Sequence, residues 1–369
     1  MTAIVPRPVL AALLLALAAC AGARRAPPGA APGATPTVSF PPDEVKVGPL
    51  DLELAGKNDE ELFAIGTAAS GAGDHPRAAV AFSRLADRFP ASRHAAAALL
   101  EAGLAYERLE EWHLALERFR ALARGHGGPQ AIEATFRIAE CQYHLGDLRD
   151  ARATLDGLPS RGDLPAGERV RAITQRGIVE LEEGRSEDAE RSLRLALSTH
   201  DAASEDERLD GHYAAQAQFY LGEVYREWFR ALRFDPSLGD DEGLRRDVEH
   251  KAEMLLSAQG HYLRAIRMGS DRWAVAAGYR IGALYDELRA ALLDAPLPPG
   301  LDARQAAAYR DELRRQVRVL AAKAMTAYEQ TLARAAQSGV EDVRFLAEAQ
   351  ASLDRLKQVI AEDPGPPGS

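Results

Sequence analysis

One spacing recurs along this sequence and constrains the fold more than any other feature. In four successive cases a small residue in one apolar segment is followed twelve positions later by an alanine in the next segment. The four pairs are Gly66 and Ala78, Gly103 and Ala115, Ala139 and Ala151, and Gly177 and Ala189. A spacing that repeats in this way is typical of an array of structural repeats.

A bulky apolar residue lies four positions after each of these alanines. These residues are Phe82, Phe119, Leu155 and Leu193. Positions i and i+4 share one face of an α-helix, so each second helix presents a small and a large side chain together. Two helices approach closely only where side chains are small, and a large neighbour must then fill the remaining space. The pattern predicts an all-α fold of stacked helical hairpins.

The alanines Ala78, Ala115, Ala151 and Ala189 lie 37, 36 and 38 residues apart, and this period carries a resemblance to a known family. The matching residues are Leu62, Gly66, Ala78, Phe82 and Pro90 in the first repeat, Leu99, Gly103, Tyr106, Ala115 and Phe119 in the second, Gly146, Ala151 and Leu155 in the third, and Gly177, Gly184, Ala189 and Leu193 in the fourth. The third repeat departs at Ala139 and Gln142, where glycine and tyrosine are usual. The sequence resembles the tetratricopeptide repeat (TPR) family, whose unit is about 34 residues. The resemblance implies a right-handed α-solenoid.

The last third of the chain departs from the even spacing. The distance from small residue to alanine grows to 36 between Gly222 and Ala258 and to 42 between Gly282 and Ala324. We therefore expect two hairpins with long helical arms, followed by a helix that covers the end of the stack, as terminal repeats must. The predicted segments are four repeats over 58–200, two expanded hairpins over 201–338 with breaks at 235–243 and 296–300, and a capping helix over 339–362.

The first twenty residues predict export and a lipid anchor. An apolar run from Val9 to Ala19 follows Arg7 and is too short to span a bilayer, but it fits the hydrophobic part of a secretion signal. The tetrapeptide at 17–20, Leu-Ala-Ala-Cys, resembles the bacterial lipobox. The resemblance implies a signal peptide over 1–20, lipid attachment at Cys20 and, because no aspartate follows, an outer-membrane lipoprotein facing the periplasm. The alternative is an ordinary signal peptide with a chance cysteine.

Two terminal segments lack any helical or strand period. Alanine, proline and glycine dominate much of 21–57, and such a density of breakers predicts a disordered tether. Residues 363–369 are rich in proline and glycine and are expected to form a disordered tail.

Composition and motifs argue against several functional classes. A net charge of −10 argues against nucleic acid as a partner. No histidine pair backed by a carboxylate, no phosphate-binding glycine pattern and no nucleophile paired with a base occurs in the sequence. Cys141 would be the one thiol left after lipidation of Cys20, and its apolar helix predicts a buried structural residue. We expect a protein that is not an enzyme and uses no cofactor, no metal and no small-molecule substrate.

The resemblance also implies a concave groove, lined three positions before and one position after the first small residue of each repeat. The outer positions are Phe63, Leu100, Phe136, Thr174, Phe219 and Tyr279, and the inner positions are Thr67, Leu104, Glu140, Ile178, Glu223 and Ala283. The predicted flanking polar contacts are Tyr143, His144 and Arg226. Aromatic residues and arginine favour an apolar or amphipathic peptide as the ligand. The alternative is that these side chains pack between helices.

Mixed charges along the long arms give a second candidate surface, for which a solvated helical face is the alternative. The sequence thus predicts a scaffold held to the membrane by its N-terminal lipid, with envelope proteins or their peptide segments bound in the groove or along the arms. The predicted protein is similar in plan to TPR lipoproteins of outer-membrane assembly, of pilus assembly and of surface-motility machinery. The alternative function is a regulator that binds peptidoglycan or a cell-wall enzyme, with Phe136 and Tyr279 stacking on sugars.

Overall fold

The computed structural model describes residues 53–162, 164–203, 209–232, 241–294, 297, 301–340 and 343–362. The predicted signal peptide with Cys20, the tether up to residue 52 and the tail at 363–369 lie outside the described residues. The chain divides into two compact bodies. The N-terminal body lies within Ala23–Gly162 and the C-terminal body within Asp163–Ser369.

The described residues form helices joined by turns, with no strand among them. The helices of the N-terminal body are α1 (Asp59–Gly71), α2 (His75–Arg88), α3 (Ala95–Arg108), α4 (Trp112–Gly125), α5 (Gly128–His144) and α6 (Leu148–Asp156). Those of the C-terminal body are α7 (Ala166–Glu182), α8 (Ser186–Asp201), α9 (His212–Ala231), α10 (Asp241–Arg267), α11 (Asp271–Leu293), α12 (Ala303–Ser338) and α13 (Val343–Glu362). Helices that are adjacent in sequence pack against each other within each body. The predicted all-α fold of stacked helix pairs is confirmed.

The predicted pairing of small and large residues is confirmed in the interior of the hairpins. A Cβ atom added to Gly103 would lie 2.4 Å from Cε1 of Phe119. The corresponding distances are 2.6 Å from Gly66 to Phe82, 2.8 Å from Gly177 to Leu193, 2.4 Å from Gly222 to Tyr262, and 2.5 Å from Gly282 to Tyr328. The large residue therefore rests on the glycine backbone itself, and the alanine four positions earlier is fully buried beside it.

The turns inside the hairpins need a left-handed residue. Gly73, Gly146 and Gly184 have φ angles of +75°, +81° and +75° in three of these turns. In the second hairpin Glu110 takes this place with φ of +59°, in a conformation that disfavours a side chain. The sequence has no glycine at this turn, and the backbone of Glu110 is therefore strained.

Replacing Glu110 with glycine is expected to stabilise the N-terminal body by about 1 kcal/mol, because glycine adopts positive φ without a Cβ clash. Urea unfolding followed by circular dichroism measures the change. Glu111→Gly is the matched control, since Glu111 has φ of −84° and its substitution relieves no positive-φ strain. A Glu110→Gly variant no more stable than the Glu111→Gly variant would contradict the strain argument.

The C-terminal body contains the long helices. Helices α9, α10, α11 and α12 have 20, 27, 23 and 36 residues. Helix α12 begins at a capping box formed by Asp302 and Gln305 and ends at Gly339, which has φ of +69°. Helix α10 begins at Asp241, so the break predicted over 235–243 was drawn too far along the chain. None of the helices in the part of the chain that the structure describes has the length and apolar character needed to cross a membrane.

Candidate partner-binding groove

An open groove of about 670 Å³ lies on the N-terminal body. Its walls come from α1, α3 and α5, with the first residues of α2 and α4 at its edge. The lining residues are Ser70, His75, Glu101, Leu104, Ala105, Glu107, Arg108, Trp112, Arg137 and Glu140. Two of them, Leu104 and Glu140, belong to the inner positions predicted from the sequence. A role for Leu104 and Glu140 in partner binding stays a prediction.

A charged cluster, formed by Arg137 with Glu107, Glu133 and Glu140, lies at the groove. The Arg137 guanidinium is 2.8 Å from the Glu133 carboxylate and 3.2 Å from those of Glu107 and Glu140. Glu133, Arg137 and Glu140 share one face of α5, whereas Glu107 comes from α3. Burial raises the pKa of Glu107 to about 7, and the repulsion from Glu140 and Glu133 adds to this against the attraction of Arg137.

Cys141 lies beside this cluster and is fully buried, as predicted. Its Sγ atom is 4.0 Å from Oε1 of Glu107. Burial, followed by the nearby Glu107 and Glu140 carboxylates, raises the pKa of the Cys141 thiol to about 12. Because the thiolate is the reactive form, this residue is a structural thiol and not a nucleophile.

Aromatic rings form the edge of the groove. The indole of Trp112 stacks on the imidazole of His144, with ring centroids 3.9 Å apart and an angle of 9° between the planes. Tyr143 meets the same imidazole edge-on at 5.6 Å. The predicted contacts Tyr143 and His144 are therefore joined to the groove through Trp112, a residue that the sequence analysis did not select.

The predicted outer positions of the N-terminal body pack against neighbouring helices. Phe63 is half-buried, with its ring 5.8 Å from that of Phe82 and 4.3 Å from that of His94. Leu100 is also half-buried against the core, and Phe136 is 1% exposed. These placements fit the alternative in which the outer side chains pack between helices. A role for them in partner binding stays a prediction.

Two predicted outer residues of the C-terminal body, Phe219 and Tyr279, lie beneath its last helix. Phe219 and Tyr279 are 3% and 9% exposed. The ring of Phe345, from α13, lies 6.3 Å from that of Phe219 and 5.7 Å from that of Tyr279. Arg355 of the same helix binds the buried carboxylate of Asp286. Helix α13 thus covers side chains that the sequence analysis assigned to an open groove.

Glu223 and Arg226 belong to an ion-pair network across α9 and α11. The Arg226 guanidinium binds the carboxylate of Glu287 and lies 3.4 Å from that of Glu223. Glu223 also accepts a hydrogen bond from the Tyr262 hydroxyl and lies 3.0 Å from the guanidinium of Arg280. Burial alone would lower the pKa of Arg226, but the Glu287 and Glu223 carboxylates raise it well above its usual range. Arg226 is 8% exposed, and its guanidinium makes internal contacts.

The sequence analysis missed the charged cluster although one signal could have revealed it. Glu133, Arg137 and Glu140 recur at i, i+4 and i+7, which places them on one helical face. Glu107 lies three residues after the predicted groove residue Leu104, on the same face of α3. Among the described residues, no group of three or more histidine, cysteine, aspartate or glutamate side chains is arranged to hold a metal ion.

Several proteins of known structure are similar to this chain at low sequence identity. RapI, in its apo form, is similar over 82% of this chain and 99% of its own, with 10% identity and a TM-score of 0.46. A tetratricopeptide repeat protein from Parabacteroides merdae is similar over 80% of this chain and 98% of its own, with 14% identity and a TM-score of 0.38. MamA is similar over 56% of this chain and 94% of its own, with 15% identity and a TM-score of 0.37.

A search of curated protein sequences gave no match. Residues 133–161 match the family model described as tetratricopeptide repeat. This segment covers most of α5 and all of α6, which form the third hairpin predicted from the alanine spacing. The match identifies a tetratricopeptide repeat in this hairpin, and other hairpins repeat the packing of a large side chain on a small residue.

Proposed function

We propose that this protein is a lipid-anchored TPR scaffold that binds segments of other cell-envelope proteins. The groove of the N-terminal body carries this proposal, because it places apolar Leu104 and the indole of Trp112 among charged side chains. Aromatic residues and arginine surrounded by polar groups are characteristic of protein interfaces. Helical repeat arrays supply such extended surfaces.

The proposed location is the periplasmic side of the outer membrane. The tetrapeptide at 17–20 supports it, since a lipid on Cys20 would hold the chain to a bilayer. In this location the protein holds together components of machinery of the outer-membrane assembly, pilus or surface-motility type.

The proposed role is noncatalytic. The Cys141 thiol is fully buried and has a raised pKa, so it is unsuited to act as a nucleophile. Arg226 is held in an ion pair with Glu287 inside the C-terminal body.

The anchor is tested by labelling cells with a radioactive fatty acid and following the protein in membrane fractions. We expect the Cys20→Ala variant to lose both the label and its membrane association. Cys141→Ala is the matched control, because it removes the buried thiol and should keep the label. A Cys20→Ala variant that remains in the membrane fraction to the same extent would rule out the lipid anchor.

The scaffold role is tested by photo-crosslinking in intact cells. A photoreactive amino acid at Leu104, inside the groove, is expected to capture a distinct envelope protein. The same amino acid at Glu117, an exposed residue of α4, serves as the control. Capture that is equal at both positions, or absent at Leu104, would contradict a partner in the groove.

The alternative function, binding of peptidoglycan, is less well supported by the described residues. Its predicted sugar-stacking rings, Phe136 and Tyr279, are 1% and 9% exposed and cannot present a face to a sugar as they are placed. Sedimentation with purified sacculi separates the two functions. Binding to sacculi without a crosslinked protein at Leu104 would favour the alternative.

A further inference from the structure

A second groove lies on the C-terminal body, where α11, α12 and α13 meet. It has a volume of about 270 Å³. Its charged lining residues are Arg289, Arg314 and Arg318, and the other lining side chains are aliphatic. No carboxylate of the described residues is among them. The groove therefore combines an apolar surface with positive charge.

The aliphatic part of this groove is open to water. Leu293, at the end of α11, and Val359, in α13, are 38% and 39% exposed. Exposed aliphatic side chains of this kind contribute free energy when a partner covers them. Sites for small molecules usually enclose about 300–1,000 Å³, so this smaller groove fits one or two side chains of a larger partner.

Arg318 gives an independent indication of an anionic ligand. Its side chain is half-buried, and within the part of the chain that the structure describes it makes no hydrogen bond or ion pair. Arg314 lies one turn earlier on the same face of α12 and also lines the groove. Like charges at positions i and i+4 of a helix repel each other. A bound anion would compensate both guanidinium groups.

The carboxylates nearest to this groove already bind other arginines. Asp286 is 9% exposed, lies 3.0 Å from the guanidinium of Arg289 and also binds Arg355 of α13. Asp311 lies 2.8 Å from the guanidinium of Arg314, in an ion pair whose two side chains are more than half exposed. Water and salt screen such an exposed pair, so Arg314 can exchange Asp311 for a ligand at little cost.

We propose that this groove binds a partner segment in which an acidic side chain lies beside one or two aliphatic side chains. The carboxylate binds Arg318 and Arg314, because a guanidinium group pairs with a carboxylate through two parallel hydrogen bonds. The aliphatic side chains cover Leu293 and Val359. This inference rests on the proposed scaffold function and adds a second binding surface, on the C-terminal body.

The test measures the binding of labelled heptapeptide pools to the full chain in detergent by fluorescence anisotropy. The central residue is glutamate, glutamine or lysine in the three pools, and the flanking residues are leucine, valine or serine. At low salt we expect the glutamate pool to bind at least tenfold more tightly than the other two. Added salt should reduce this preference, because it screens the charges.

Two pairs of variants separate the charge from the apolar contact. Arg318→Gln should abolish the preference for glutamate, whereas the matched control Arg315→Gln should keep it, since Arg315 binds Glu312 and does not line the groove. Val359→Ser should weaken binding of the glutamate and glutamine pools alike, by about threefold. Its matched control is Val319→Ser, which changes a side chain of α12 that is 57% exposed and lies outside the lining.

A glutamate preference that is lost in Arg318→Gln and kept in Arg315→Gln supports the proposal. Equal binding of the three pools, no binding, a preference for lysine, or a glutamate preference that survives Arg318→Gln would overturn it. Competition by laurate, or self-association of the protein that Arg318→Gln abolishes, would assign the groove to a fatty acid or to a second copy and overturn it as well. Crosslinking at Leu104 decides the scaffold function separately.

Discussion

Replacing Arg226 with methionine is expected to lower the free energy of unfolding of the C-terminal body by about 3 kcal/mol. Arg226 is 8% exposed, and its guanidinium lies between the carboxylates of Glu287 and Glu223. Methionine fills a similar volume without charge, so two carboxylates would remain in a poorly solvated region with less compensation. Urea unfolding followed by tryptophan fluorescence measures the change, since Trp228 and Trp273 lie in this body.

Arg230 offers a matched control on the same carboxylate. Its guanidinium is 2.7 Å from Glu287, but its side chain is 54% exposed. Exposed ion pairs contribute little because water and salt screen them, so Arg230→Met should cost less than about 1 kcal/mol. Similar losses in the two variants would show that burial does not set the strength of this network.

Local spacing was sufficient to predict the architecture because the hairpin interior repeats one contact. Gly66, Gly103 and Gly177 each lie under a large side chain sixteen positions later, and this contact is made within a single hairpin. Such a pattern can therefore be recognised within one hairpin, without knowing how the neighbouring repeats pack. The family resemblance, and not this spacing alone, predicted Leu104 and Glu140 as groove positions, and both residues line the groove of the N-terminal body.

The twelve-residue spacing could not predict contacts between helices that lie far apart in the sequence. Phe219 and Tyr279 follow the pattern of groove residues, yet Phe345 packs on both from more than sixty residues away. The sequence predicted a final helix but gave no register for its docking on α9 and α11. Phe219 and Tyr279 are therefore buried by a contact with a distant helix that the spacing does not encode.

The charged cluster illustrates a different limit. Glu133, Arg137 and Glu140 form a stripe that the sequence alone would assign to a solvated helical face. The cluster also contains Glu107, which lies on α3. Its buried carboxyl contacts the Arg137 guanidinium of the stripe. Burial by helix packing is the main cause of the raised pKa of Glu107, and repulsion from Glu140 and Glu133 of the stripe adds to it.

A methyl group on Gly103 is expected to destabilise the N-terminal body by about 2 kcal/mol, because it would lie 2.4 Å from the Phe119 ring. Gly71→Ala is the matched control: the added methyl has no heavy atom within 4 Å, and alanine favours the helix. Urea unfolding followed by circular dichroism reports the difference.

Shortening the opposing side chain should rescue this variant. In the third hairpin the equivalent positions hold Ala139 and Leu155, which are 3% and 1% exposed, so the fold already accepts alanine opposite leucine. Phe119→Leu alone should cost about 1 kcal/mol through the space it leaves. Because the new methyl occupies that space, the double variant Gly103→Ala with Phe119→Leu should lose about 1 kcal/mol less than the sum of the single variants. Strict additivity would mean that Gly103 and Phe119 do not meet, and the hairpin packing derived from the twelve-residue spacing would be wrong.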